Sequence, residues 1–168
     1  MTPLTHVTSR VTLVSSEMRT SCRFAMAVHV LAVLAYKQGD HVTSSLLASS
    51  VNTNPVVIRR LLLTLQRAKL VETRKGFGQG SRLTRSPAKI ALDEVFRAVE
   101  EDDPFVMPKK KPNRACPVGN CIQIAISEVF ASARKALEKD LGETTLADVL
   151  DTVNSCCKRE PVLQSSNN

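Results

Sequence analysis

Cys116 and Cys121 stand with four residues between them in the stretch NRACPVGNCIQ, residues 113–123. Two thiols this close can serve three chemistries. They can ligate a metal or an iron–sulfur cluster as thiolates, react with oxidants as a sensing pair, or remain inert side chains at the start of a helix. Pro117 and Gly119 between them favour a turn that could let the sulfurs meet. Lys109, Lys110, Lys111 and Arg114 place positive charge nearby, the surroundings in which thiols react. The other three cysteines, Cys22, Cys156 and Cys157, are far away in sequence. A chain without an apolar secretory signal is expected in a reducing compartment, where five thiols do not make a disulfide framework. Cys156 or Cys157 could complete a metal site, and Cys22 is expected on the core face of a helix. All three readings of the pair stay open on the residues alone.

The elements that would carry these thiols can be read from periodicity. Residues 20–37 place Phe24, Ala27, Val28, Leu31, Leu34 and Ala35 at helical spacing, a first buried helix. A short helix over 44–50 follows, with Ser44 as its expected cap. Asn54–Pro55 is a strong helix start: the Asn side chain accepts from a free first-turn N–H, and proline lacks only an N–H that had no partner. That helix is expected over about 55–68, with Val57, Ile58, Leu61, Leu62 and Leu65 available to the core. Short helix, tight turn and longer helix make a helix-turn-helix. Residues 70–84 read as strand, glycine-rich tip and strand, a β-hairpin wing. A short helix over 90–100 precedes a loop with three prolines and a basic run. From Cys121 to about Leu141, Ile122, Ala125, Ile126, Val129, Phe130, Ala133 and Leu137 hold one apolar face, and a last helix is expected over 146–153.

Charge is concentrated rather than spread. The chain carries 23 Lys and Arg against 16 Asp and Glu, a net +7. Within 54–85 stand Arg59, Arg60, Arg67, Lys69, Arg74, Lys75, Arg82 and Arg85 against a single acid, Glu72. A basic helix start beside a basic hairpin is what phosphate contacts require, and these supply most sequence-independent affinity for nucleic acid. Enzyme signatures are missing. The GFGQG stretch is followed by no helix that would make it a dinucleotide fingerprint, and the three histidines are far apart, none with a carboxylate–nucleophile partner nearby in sequence. No apolar run reaches the roughly 18 residues of a membrane span.

The blocks RFAMAVHVLAVLA, SSVNTNPVVIRRLLLTLQRAKLV, RKGFGQGSRLTR and IALDEVFRAVEE, in this order and spacing, resemble the Rrf-two family of winged-helix transcription regulators, of the IscR, NsrR and CymR type. The resemblance runs from about residue 20 to 153. It implies a mainly α fold with a small β-hairpin: a winged helix-turn-helix plus a long C-terminal dimerisation helix. The expected organisation is a disordered extension over 1–18, a DNA-binding domain over 19–101, a cysteine-containing loop over 102–120, dimerisation helices over 121–154 and a flexible tail over 155–168. The implied protein is a cytoplasmic bacterial homodimer that acts as a repressor on a palindromic operator in double-stranded DNA and has no membrane partner. By position, Asn54, Val56, Val57, Arg59 and Arg60 fall at the start of the recognition helix. Gly76, Gly78, Gly80 and Arg82 fall on the wing, joined there by Arg74 and Lys75. Cluster-binding members of the family carry three cysteines in the loop before the dimer helix. This loop has two, which argues against an iron–sulfur cluster, so no cofactor is expected. A redox-sensing role for Cys116 and Cys121 is the expectation that remains. The alternative from another class is a thiol-redox or metal-handling protein built on the same two residues.

Overall fold

The computed structural model describes residues 22–37, 39–74, 76, 79–100 and 105–159. The extension expected over 1–18, the wing residues Lys75 and Gly78, and the end of the tail from residue 160 lie outside the described residues. The described chain forms α1 (Arg23–Tyr36), α2 (Ser44–Val51), α3 (Pro55–Arg67), β1 (Val71–Arg74), β2 (Gly80–Leu83), a 3-10 turn (Pro87–Lys89), α4 (Leu92–Val99), α5 (Pro117–Glu143) and α6 (Leu146–Arg159).

Local chemistry sets the helix ends. Thr43, not Ser44, caps α2: its hydroxyl accepts from the Leu46 N–H at 3.3 Å. The helix stops at Asn52, whose φ of +56° is left-handed, a conformation Asn tolerates and β-branched residues resist. Just beyond it Asn54 caps α3, its Oδ1 accepting from Val56 N–H at 2.8 Å, and Pro55 opens the helix. The cap of α1 comes from elsewhere in the chain. Cys22 sits at the N-cap without a side-chain bond, and Glu100 Oε1, at the end of α4, accepts from Phe24 N–H at 3.2 Å. Phe24 and Phe96 meet edge to face beside this contact, with centroids 5.4 Å apart. Cys22 is exposed, so it is not the core residue that its place in the helical pattern suggested. It precedes the first helical turn, where the periodicity no longer applies.

One core joins the elements. Ala27, Val30, Leu31 and Leu34 of α1 pack with Leu47 of α2, Ile58, Leu61, Leu62 and Leu65 of α3, Leu70 and Val71 at the hairpin, and Val95 and Val99 of α4. Val57 is 39% exposed and does not join it, because its position on α3 turns away from the buried seam. Burial of each large aliphatic side chain is worth about 1.5–3 kcal/mol, so this aliphatic set suffices without tryptophan.

The antiparallel wing pairs Val71 with Leu83 and Arg74 with Gly80. Val42 adds a third short partner: its N–H and C=O exchange bonds with Ser81 at 2.9 and 2.8 Å. Gly80 therefore belongs to β2 rather than to the exposed tip, and it is buried. A Cβ at Gly80 would lie 2.7 Å from the His41 carbonyl carbon.

A second bridge, Ala91 with Thr145, returns the end of α5 to the domain. Leu92 N–H donates to Thr144 C=O and Leu146 N–H to Ile90 C=O, both at 2.9 Å, and Leu146 is fully buried in the common core. The C-terminal helices are thus rooted in the winged domain. Thr145 and Asp148 cap α6 reciprocally, Asp148 N–H donating to Thr145 Oγ1 and Thr145 N–H to Asp148 Oδ2. The hydrogen bonds from the Thr145 hydroxyl and backbone hold the Asp148 carboxyl below its ordinary range. α6 continues to Arg159, so residues 155–159 are helical where a flexible tail was expected. α5 likewise begins at Pro117, four residues before its expected start, and runs one residue past Gly142.

Gly80→Ala is expected to lower stability by about 3 kcal/mol, because backbone rather than a movable side chain blocks the new methyl. Gly76 has a φ of +89° but open space around it, so Gly76→Ala is expected to lose only about 1 kcal/mol from the left-handed backbone. Urea unfolding of both variants checks this; equal midpoints would contradict it.

Candidate nucleic-acid interface

α3 divides its residues by face. Ile58, Leu61, Leu62 and Leu65 are buried. Val56, Val57, Arg59, Arg60, Leu63, Gln66 and Arg67 are exposed. A thirteen-residue helix with one apolar stripe must turn its other residues outward, and here those include three arginines. Arg59 lies back along the helix, its Nε donating to Pro55 C=O at 3.2 Å. Among the described residues, Arg59, Arg60, Arg67 and Arg74 make no ion pair with a carboxylate.

The hairpin stands beside this face. Between them runs an open cleft of about 590 Å³ lined by Thr43, Ser44 and Ser45 at the start of α2, Arg59, Leu63 and Gln66 of α3, and Arg74 and Gln79 of the wing. Its lining sets hydroxyl and basic side chains beside the aliphatic Leu62 and Leu63, and the free amides at the start of α2 add partial positive charge. Sequence reasoning misses Ser44, Ser45, Gln66 and Gln79 as members of this surface. Gln66 could have been found from its helical spacing to Arg59 and Leu63, but the α2 and wing residues arrive only through folding.

Two basic residues of the 54–85 stretch are partly spent on structure. Arg82 pairs with Glu72, its partner in the strand register, and Arg85 pairs with Glu94 of α4. The Arg82 hydrogen bond, reinforced by its charge, holds the Glu72 carboxyl below its ordinary 4.5. A lowered carboxylate pKa stabilises the fold above the unfolded value, and that contribution is lost as the pH falls through the folded one. Of the wing residues singled out in sequence, Arg74 and Gly76 are exposed, Arg82 is half-buried in its pair and Gly80 is buried.

The thiols lie elsewhere, at the start of α5. Cys116 is the N-cap residue and Cys121 is in the second turn; both are exposed and free. The loop before them is wound tightly. Asn113 C=O accepts from Cys116 N–H at 3.2 Å, and Asn113 Oδ1 accepts from Ala115 N–H at 2.9 Å. A Cβ at Gly119 would fall 2.3 Å from the Asn113 carbonyl oxygen, so only glycine lets the loop close onto the helix. Five residues along a helix separate Cα atoms by roughly 8–9 Å and turn the side chains well apart. That exceeds the reach of a disulfide unless the first turn unwinds, so the thiols do not meet as the turn residues suggested. Among the described residues no three His, Cys, Asp or Glu side chains gather to hold a metal ion. The donor set therefore does not fit a three-thiolate cluster within this loop. No described helix is long and apolar enough to cross a membrane.

Helix-turn-helix, wing and a face of unpaired arginines define a winged-helix DNA-binding protein. The family model for Rrf2, described as an iron-dependent transcriptional regulator, matches residues 20–152. A Bacillus subtilis protein provisionally named the HTH-type transcriptional regulator YwnA is 39% identical over 129 residues, covering 77% of this chain and 95% of its own. A solved structure provisionally described as a DNA-binding protein is also 39% identical, with a TM-score of 0.62 over 76% of this chain and 98% of the other. CymR of B. subtilis, the global cysteine regulator, superposes with a TM-score of 0.60 over 81% of this chain and 98% of its own, at 21% identity, which speaks for the fold alone. The chain belongs to the Rrf2 family of transcriptional regulators. The family and these relatives are regulators, not enzymes.

Glu72→Gln is expected to release Arg82 and raise affinity for duplex DNA of any sequence. The slope of log K against log salt should steepen by about one unit, the gain of one phosphate contact. Fluorescence anisotropy across a salt series checks this; an unchanged slope would give the Arg82 pair a structural role only.

Proposed function

We propose that this regulator works as a homodimer that represses transcription by occupying a palindromic operator. α3 would read the major groove through Asn54, Val56, Val57, Arg59 and Arg60. The wing, with Arg74, Lys75, Gly76, Gly78, Gly80 and Arg82, would follow the adjacent backbone and minor groove. Arg74 is its exposed cation among the described residues, whereas Gly80 serves by letting β2 sit against residues 41–42. A DNA target would put the protein in the cytoplasm of a bacterial cell.

The observation that carries the dimer is α5. It is 27 residues long and none of them is buried. Ile122, Ile126, Phe130, Ala133, Leu137 and Leu141 are half-covered, with Phe130 against Phe105 at 5.4 Å. Beside them Val118, Ala125, Val129, Ser132 and Ala136 form a second row that is exposed, and apolar except for the small Ser132. A row of small residues this long suits close approach of a second helix, and monomeric proteins rarely leave such a stripe in water. Paired α5 helices would set two recognition helices about one DNA turn apart, the spacing a palindrome demands.

A thiol signal is the second part of the reading, supported by the exposure of Cys116 and Cys121 where α5 begins. The separation of the two favours modification of single thiols, to sulfenate by a peroxide or to a mixed disulfide with oxidised glutathione, over an intrachain disulfide. Either adduct would crowd the first turns of α5 and so act on the spacing of the two α3 helices. A thiol-redox or metal-handling role apart from DNA has no comparable support, since among the described residues no group of three His, Cys, Asp or Glu side chains gathers to hold a metal.

Val129→Glu is the sharper test of the dimer. Val129 is 63% exposed in the single chain, so a charge there is harmless to a monomer and disruptive only if a partner covers it. Sedimentation is expected to show monomers for Val129→Glu and dimers for the parent; a dimeric variant would move the interface elsewhere. For the thiols, operator affinity of the parent is expected to fall several-fold after peroxide or oxidised glutathione, and Cys116→Ser with Cys121→Ser to abolish the response. A parent whose affinity ignores both oxidants would return the cysteines to inert residues.

A further inference from the structure

We propose that Val56 and Leu63 read the methyl groups of thymine in the major groove. The proposal rests on α3 as the DNA-reading helix and adds what that helix recognises.

Its basis is the outward centre line of α3. The buried seam of Ile58, Leu61, Leu62 and Leu65 occupies one side. On the opposite side Val56, Arg60, Leu63 and Arg67 follow one another at i, i+4, i+7 and i+11, a single line along the helix. Val56 is 46% and Leu63 54% exposed. Two aliphatic side chains thus alternate with two unpaired arginines at the part of α3 farthest from the core. Arginine can reach phosphates or guanine edges, but an aliphatic group can do neither. The apolar feature that the major groove offers is the C5-methyl of thymine.

Local structure prepares both side chains. The Asn54 cap holds the Val56 N–H at 2.8 Å and so sets the first turn of α3. Valine is stiff at χ1, so its methyl groups point in a defined direction. Leu63 forms part of the cleft wall between Arg59 and Gln66 and faces the same side as the wing. Seven residues of helix advance about 10.5 Å, roughly three base-pair steps of 3.4 Å. One side chain can therefore contact a thymine near the start of a half-site, and the other a thymine about three steps along. The surrounding positive charge of Arg59, Arg60, Arg67 and Arg74 selects duplex DNA as the occupant of this face over an apolar protein surface.

The test uses the tightest duplex selected by the parent protein from a random library, synthesised with thymine or with uracil, which lacks only the methyl. Burial of one methyl corresponds to about a fourfold change in affinity. The parent is expected to bind the uracil duplex at least fourfold more weakly, and single replacements should locate the loss at two positions per half-site. Val56→Ala should erase the loss at one position and Leu63→Ala at the other. Val56→Thr, which keeps the shape and exchanges one methyl for a hydroxyl, serves if the alanine variant unfolds. Equal affinity of the parent for both duplexes, with preference over unselected DNA retained, would overturn methyl reading while leaving α3 as a DNA reader. Discrimination kept in both alanine variants would overturn the assignment to these residues. A parent with no preference for selected over unselected DNA would remove the reading of α3 itself.

Discussion

The structure depends on how α3 divides its surface. Its four aliphatic residues, Ile58, Leu61, Leu62 and Leu65, occupy the middle of the core, where α1, α2, the hairpin and α4 all converge. A helix that gives one side to such a core can present only the other, and the orientation of every exposed residue is then settled. Rotating α3 to hide Val56 or Leu63 would expose the seam, at about 1.5–3 kcal/mol for each large side chain lost from the core. The arginine-bearing face is held outward by what lies behind it, not by contacts of its own.

Electrostatics refine this surface. The formal charge of residues 54–85 overstates what is available to a polyanion, because Glu72 takes Arg82 and Glu94 takes Arg85. Both pairs are substantially exposed, and exposed pairs add little stability. Their effect is to orient arginines at the base of the wing, leaving Arg59, Arg60, Arg67 and Arg74 as its unpaired neighbours. The cleft between α3 and the wing joins residues of α2, α3, β1 and β2. Gly80, in its lining, allows β2 to lie against residues 41–42.

The C-terminal part is joined to this face mechanically. α5 leaves the domain at the cysteine-bearing turn and returns at Thr144, where two backbone bonds and buried Leu146 anchor it beside α4. α4 in turn caps α1 through Glu100. A change at the C-terminal end of α5 therefore reaches the core through hydrogen-bonded backbone and packed side chains.

What the sequence alone determined is everything that nearest neighbours decide. The periods of α1, α3 and α5, the Asn54–Pro55 start and the glycine-rich hairpin were all legible, because helix phase, caps and tight turns depend on a few adjacent residues. The helix-turn-helix and the basic face followed from them, and the order of four sequence blocks carried the resemblance to the family. Tertiary structure decided what depends on residues far apart in the chain. Cys22 proved exposed and Val57 half outside the core, since burial is set by whatever packs opposite. Gly80 proved a close-approach residue, because its neighbour is the backbone of residues 41–42. Glu100 proved the partner of the Phe24 amide, 76 residues before it, at the start of α1. The spacing of Cys116 and Cys121 was plain in the sequence, but whether it curled into a turn or lengthened a helix was not. Asn113 folding onto Gly119 started α5 four residues early and carried the two sulfurs to different sides of it.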